Sequence, residues 1–287
     1  MCWDTCVKDK GFELIFMRLS LVTINYNNRE GLKKTINSVV TQTFKDYEWI
    51  VIDGGSTDGS RELLEQYADH FAYWVSEPDK GIYNAMNKGI DHAQGEYLLF
   101  LNSGDWFVDT TSLERSLLHQ FDADVMYGDC VFHYANHEDR CRYPSTLTFE
   151  FLYRSSLAHC SSFIKREILA KEHYNEDYKI VSDLEFWVKV AFAGGSFCHL
   201  AEFVSVFDTT GVSSTNRDLD KAERKQMLSH YVSEMIAADY DRLQEMQRQL
   251  SDDQVQAVLK YGHKRKLYHK LIASALAMIR TLEKRLG

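Results

Sequence analysis

The 287-residue sequence has only 2 prolines and 15 glycines, with no low-complexity tract and no internal repeat. Its length allows one large domain, or one domain with an appendage. The six cysteines (Cys2, Cys6, Cys130, Cys141, Cys160, Cys198) form no C-x-x-C pair and no metal-like spacing. Reduced thiols in a cytoplasmic protein are the plain expectation. The longest apolar run near the C-terminus, LIASALAMI, falls short of the ~20 residues a membrane span needs. The opening stretch MCWDTCVKDKGFELIFMRLS has early acids, a very short apolar patch and no small-residue cleavage site, so it does not read as a signal peptide. Met17 precedes the first strand, and residues 1–16 read as an N-terminal extension.

Chemical signatures are missing as well. No G-x-G-x-x-G follows the first strand and no G-x-x-x-x-G-K-[ST] occurs, which removes the main support for a dinucleotide oxidoreductase or a P-loop enzyme. Neither G-x-S-x-G nor H-E-x-x-H is present. A net charge of -9 argues against a nucleic-acid partner. The charge is uneven, however. From Lys260 to Gly287 eight Lys or Arg residues face one acid, Glu283, and Leu267, Leu271, Ala275, Met278 and Leu282 trace an apolar stripe between them. Two roles suit such a helix: docking on the body or on a second copy, and peripheral contact with an anionic membrane face.

What is present is a core and a rhythm. Hydrophobic content of 45% is enough to bury a core, so disorder is excluded. Strand-like runs (LSLVTI, WIVIDGG, YWVSE, YLLFLN) alternate with helical patterns (REGLKKTINSVVTQ, STDGSRELLEQYADH, GIYNAMNKGIDHA). That alternation predicts a mostly parallel central sheet flanked by helices, a Rossmann-like α/β half. Ligands of such sheets bind beyond the carboxyl ends of the strands. The polar breaks fall there: Asn25-Tyr26-Asn27, Asp53-Gly54-Gly55, Glu77-Pro78-Asp79 and Asn102-Ser103-Gly104-Asp105. Carboxylates, asparagines and one lysine at strand ends suit a nucleoside diphosphate held with a divalent metal.

Further on, Thr111-x-x-Glu114 and Ser182-x-x-Glu185 read as capping boxes of two helices. DVMYGDCVF reads as a strand, and SSFIKREILA as the start of another helix. From Asp218 the chain reads as helical, with Leu228, Tyr231, Val232, Met235 and Ile236 in register and a second helix after Ser251.

The run from Leu19 to Trp106, with weaker echoes to Ser214, resembles the nucleotide-binding half of glycosyltransferase family 2, whose members are inverting enzymes of the GT-A fold. The resemblance implies a GT-A domain over 17–215, with a nucleotide-sugar-binding half at 17–108 and an acceptor half at 109–215, followed by a helical region at 216–287. It places Asn25, Tyr26 and Asn27 beside the nucleoside. Asp53 matches the first acid of the family's Asp-Asp-Gly-Ser turn, its partner acid being Gly54 here. A carboxylate at this point could instead cap the next helix; Asp58 and Ser56 already offer caps, which favours a ligand role for Asp53, with Ser56 in the same turn. Asp79, Lys80 and Asn87 fall in the segment under the diphosphate and sugar, though Lys80 reads equally well as an exposed loop lysine.

The family's metal motif falls on NSGD, so Asp105 is the one acid left for Mg²⁺ or Mn²⁺, with Asn102 and Ser103 beside it. In KIVSDLEFWVKV, Asp183 matches the general base; a carboxylate at a helix start also gains from the helix dipole alone. His159, Gly211, Ser213 and Ser214 match positions near the acceptor or diphosphate, against the readings of a structural histidine and a surface loop. The implied activity is transfer of a sugar from a nucleoside-diphosphate donor to a hydroxyl of a glycan or lipid-linked acceptor, in the cytoplasm or at the inner membrane face. The rivals are a catalytically silent nucleotide-sugar-binding protein and, last, a sugar-phosphate nucleotidyltransferase.

Overall fold

The computed structural model describes residues 19–119, 121–211 and 216–251, with positions 274 and 277. Ser213, Ser214, the extension at 1–16 and the basic stripe after 260 lie outside the described residues. The chain divides into two units, Met1–Leu228 and Ser229–Gly287.

The first unit is built on one sheet of nine strands: β1 (Leu19–Asn25), β2 (Tyr47–Asp53), β3 (Tyr73–Ser76), β4 (Tyr97–Phe100), β5 (Trp106–Phe107), β6 (Val125–His133), β7 (Glu138–Cys141), β8 (Ser162–Lys165) and β9 (Phe197–Asp208). Their order is β3-β2-β1-β4-β8-β6-β9-β5, with β7 added to β6. From β3 to β4 every pairing is parallel, crossed by α1 (Arg29–Val40), α2 (Ser60–Gln66) and α3 (Ile82–His92). β1 is buried at all seven positions and β4 at all four, as strands covered on both faces must be. Each fully buried Leu, Ile or Val there contributes roughly 1.5–3 kcal/mol.

The second half of the sheet is mixed. β8 runs antiparallel between β4 and β6, β5 is antiparallel to β9, and β6 and β9 are parallel with a shift of register around Asp129. The expected helix at SSFIKREILA is therefore two elements, strand β8 and then α6 (Arg166–Glu172). Ser162, Phe163 and Ile164 are buried between two strands, and sheet pairing overrides the helical pattern.

The capping boxes also differ. Neither Thr111, ahead of α4 (Ser112–Leu117), nor Val181, ahead of α7 (Ser182–Phe192), makes a side-chain cap. Asp109 takes the Thr111 N–H instead, Glu114 accepts from Thr43, and Glu185 is buried in an ion pair with Lys189. α5 (Phe149–Arg154) is capped by Thr148.

The expected continuous helix after Asp218 is broken. α8 (Arg217–Ser229) ends ahead of a turn at 230–233, and α9 (Glu234–Ser251) starts where Ser233 Oγ accepts the Ile236 N–H. Leu228 and Val232 are buried while Met235 and Ile236 are exposed. Cys130, Cys141, Cys160 and Cys198 are free thiols. Among the described residues no helix is long and apolar enough to cross a membrane.

Candidate active site

The carboxyl ends of β1 and β2 are tied in a polar knot. Asp53 has no solvent exposure. Its Oδ1 accepts from Asn25 Nδ2 (2.6 Å) and Ser56 Oγ (2.5 Å), and its Oδ2 from the Ser56 N–H (2.9 Å) and Ser76 Oγ (2.6 Å). Register places Asn25 opposite Asp53, so the strand pairing itself delivers the first of these donors. Asn27 adopts φ +48° and donates its N–H to Ser56 Oγ, while its Oδ1 accepts from the Thr57 N–H. Tyr26, between them, is 67% exposed at the rim. Asn25 Oδ1 is buried with no partner.

Gly54 has little room for a side chain where the Asp79 carboxylate stands. A Cβ there would lie 2.5 Å from Asp79 Oδ2 and 3.1 Å from the Tyr26 ring. The carboxylate missing at 54 is thus matched by one arriving from 79, held by the Gly81 N–H on Asp79 Oδ1 (2.8 Å). Lys80 is exposed beside it. Asn87 is a strut: its amide bonds Tyr174 N and O at 2.9 Å each and Glu176 at 3.0 Å, joining α3 to the segment before α7. The expectation that it serves the diphosphate meets a side chain whose groups are spent on the protein.

The NSGD turn is organised from α1. The buried Thr35 Oγ1 bonds Asp105 O (2.7 Å) and accepts the Gly104 N–H (3.0 Å). Asn28 Nδ2 reaches Ser103 O at 3.0 Å. Gly104 stands at φ +107°, in the region that favours glycine. The β5–β9 pairing, Trp106 opposite Val206, brings Asp208 against the turn. The Asp208 N–H donates to Asp105 Oδ1 (2.9 Å), and a Cβ on Gly104 would stand 3.5 Å from Asp208 Oδ2. Asp105 is only 5% exposed, and burial pushes its carboxyl up to about 7.

These residues fit a divalent cation. Among the described residues no three His, Cys, Asp or Glu groups gather around one point, but Mg²⁺ commonly takes one or two carboxylates and completes its shell with water and substrate phosphates. Asp105 and Asp208 can provide two, meeting at one turn through the Asp208 N–H, and among the described residues Asn102 Oδ1 is buried without a partner.

Asp183 is the second residue of α7, where its charge faces the helix N-terminus. It lines a cavity of about 220 Å³ whose walls include Phe132, Tyr143, Leu157, Phe207 and Val181, with His159, Asp220 and Arg224 as polar neighbours. The Tyr83 hydroxyl of α3 lies within hydrogen-bond distance of Asp183 Oδ1 (3.1 Å) and of the Ile180 carbonyl. Burial holds the Asp183 carboxyl up at about 6, pulled back first by the Leu184 N–H, then by Tyr83 and then by Arg224. His159 is buried on the Phe100 ring with Nε2 2.7 Å from Tyr174 Oη, and burial keeps it neutral, at about 3. Gly211 follows the turn at Asp208, whose Oδ1 accepts the Thr210 N–H.

Sequence reasoning missed Thr35, Tyr83, Asp208 and Arg224. Asp208 had a signal, a carboxylate at a strand's carboxyl end. Thr35 had another, a polar residue inside the apolar stripe Leu32, Ile36, Val39.

The chain is similar in sequence and in fold to known glycosyltransferases. An uncharacterised glycosyltransferase of Mycobacterium tuberculosis (strain H37Rv) is 36% identical over 214 residues, 68% of this chain and 77% of its own. A PGL/p-HBAD biosynthesis glycosyltransferase of Mycobacterium bovis (strain BCG) is 26% identical over 178 residues, 59% of this chain and 68% of its own. Among solved structures, Staphylococcus aureus TarS 1–349 with UDP-GlcNAc superposes with a TM-score of 0.55 at 20% identity, over 67% of this chain and 58% of that 1–349 chain. The Pyrobaculum calidifontis mannosyltransferase PcManGT, in complex with GDP-Man and Mn²⁺, gives 0.55 at 16% identity, over 93% of this chain and 86% of its own. The fold is GT-A, and the family model of glycosyl transferase family 2 matches residues 20–172; the chain is a member of that family.

Proposed function

We propose that this glycosyltransferase moves a sugar from a nucleoside-diphosphate donor to a hydroxyl of a glycan or lipid-linked acceptor, with inversion at the anomeric carbon and with help from Mg²⁺ or Mn²⁺. The observation that carries the reading is Asp183: a carboxylate at a helix N-terminus, on the wall of a cavity, with its titration lifted to about 6. A group of that kind ionises just below neutral pH and can accept a proton.

In this mechanism the Asn25–Asp53–Ser56 knot shapes the nucleoside end of the site, with Tyr26 and Asn27 on its rim. Asp105 and Asp208 hold the cation, with Asn102 beside them. When bound, the metal offsets the charge of the leaving diphosphate. The acceptor hydroxyl enters the cavity, Asp183 takes its proton, and the oxygen attacks the anomeric carbon as the bond to the diphosphate oxygen breaks. One displacement inverts the centre. The relatives and neighbours support a nucleotide-sugar donor: the solved structures hold UDP-GlcNAc and GDP-Man. The identity of the sugar is read from a panel of nucleotide sugars, each scored by its effect on melting temperature with and without Mn²⁺. A donor that raises the melting temperature and is turned over only when acceptor is present supports the reading. Binding without turnover for any acceptor supports a silent binding protein instead.

A further inference from the structure

The α8 helix carries two adjacent ionic residues that act on the segment leading into Asp183. Glu223 is buried, and its carboxylate accepts the Lys179 N–H (2.8 Å) and the Ile180 N–H (2.9 Å). The carbonyl of Ile180 is met from the other side by the Tyr83 hydroxyl of α3. The peptide units three residues ahead of Asp183 are therefore clamped between α3 and α8.

Arg224, the next residue, lines the cavity with Asp183 and Asp220. Its Nη1 stands 3.5 Å from Leu152 O and 3.3 Å from Ser155 O, at the end of α5, which limits where the guanidinium can go. Among the described lining residues it is the one permanent cation, because His159 is neutral. The cation on the base's own helix, Lys189, is engaged by Glu185. The other groups around Asp183 are Tyr83 from α3, Tyr174 from the segment after α6, and Asp220 from α8, of which none is positive.

We propose that Glu223 and Arg224 form a positioning pair for the general base, Glu223 fixing the approach to α7 and Arg224 keeping Asp183 ionised inside an apolar-walled cavity. This rests on the reading of Asp183 as the base. Burial raises the titration of a carboxylate in such a cavity, and loss of a nearby cation raises it further, so that less of it is in the basic form. Arg224 is a fixed charge that does not titrate, and its guanidinium is held by backbone carbonyls, so its field at Asp183 is constant across the working pH range.

The test is the pH profile of sugar transfer at saturating donor, measured for the wild type, Arg224→Met, Arg224→Lys and Asp183→Asn, with donor Kd and melting temperature taken on the same preparations. The sign follows from the charge: activity needs ionised Asp183, and loss of the cation raises its titration. The acidic limb should therefore move to higher pH in Arg224→Met, by about one unit, which is about tenfold in rate below the limb. Arg224→Lys should return most of that shift, and donor Kd should hold within about twofold in both. A limb that stays in place in a folded Arg224→Met, or one that Arg224→Lys leaves shifted as far as Arg224→Met, overturns the proposal while leaving the base assignment standing. Transfer undiminished in Asp183→Asn overturns both.

Discussion

Two ends of the same site treat a buried carboxylate in opposite ways. Asp53 receives four hydrogen bonds, from Asn25, twice from Ser56 and from Ser76, and its strand partner is one of the donors. Asp105 is nearly as deep, yet its Oδ1 is met by the single N–H of Asp208, and a second carboxylate lies nearby rather than a cation. Asp183 stands between these, with a tyrosine hydroxyl and a more distant arginine. A carboxylate surrounded by donors is held in place and serves as scaffold for a loop. One left short of donors is costly to ionise until something else supplies charge. We read that shortage as room for a metal at Asp105 and for a proton at Asp183.

The contrast can be broken most severely at Asp53. Asp53→Ala strands four donors, one buried and three half-buried, and should lower stability by about 3–5 kcal/mol in denaturant unfolding while abolishing nucleotide binding. A well-folded variant that still binds nucleotide would remove the scaffold role. Asp105→Asn should act in the opposite direction on stability. For a carboxyl whose folded titration is raised, the native state holds the proton longer than the unfolded chain, so stability falls as pH climbs from about 4 through about 7. Asparagine keeps the Asp208 hydrogen bond without the charge. In metal-free buffer at pH 8 the variant should be about 1–3 kcal/mol more stable than wild type, with the gain vanishing near pH 4. It should also lose metal-dependent donor binding, seen by calorimetry with Mn²⁺. Equal stability at pH 8 would mean that burial of Asp105 carries no cost. The smallest effect is expected at Ser76→Ala, which removes one of four donors from Asp53: about 1 kcal/mol in unfolding and a few-fold change in nucleotide Kd. A loss as large as that of Asp53→Ala would show the network to be less redundant than the geometry implies.

Much of the parallel half could be read directly from the sequence. Its strands are short apolar runs ending in polar breaks, and the helices between them carry clean apolar stripes, so period and position agreed. The Asp53 turn and the thinned NSGD motif stood out for the same reason. The second half was harder because its strands pair across long sequence distances. β8 looked helical because its neighbours, β4 and β6, are far away in the chain, and only their pairing makes it a strand. The same distance hid the partners of the site. Asp208 is brought to Asp105 across 103 residues and Tyr83 to Asp183 across 100, and no local pattern announces either. Gly54 and Gly104 read as losses in a motif. In space each faces a carboxylate from elsewhere: a side chain at Gly54 would crowd Asp79, and one at Gly104 would meet Asp208 at ordinary contact distance but at a φ of +107° that favours glycine.

The central claim is that Asp183 removes the acceptor's proton, and single-turnover transfer by Asp183→Asn tests it most directly, with donor affinity measured on the same sample. Asparagine preserves the size and the Tyr83 contact but cannot take the proton. The account predicts a loss of about 10²–10⁴-fold in the transfer step, with donor Kd within about twofold of wild type. Transfer at the wild-type rate, with the donor bound as before, would contradict it.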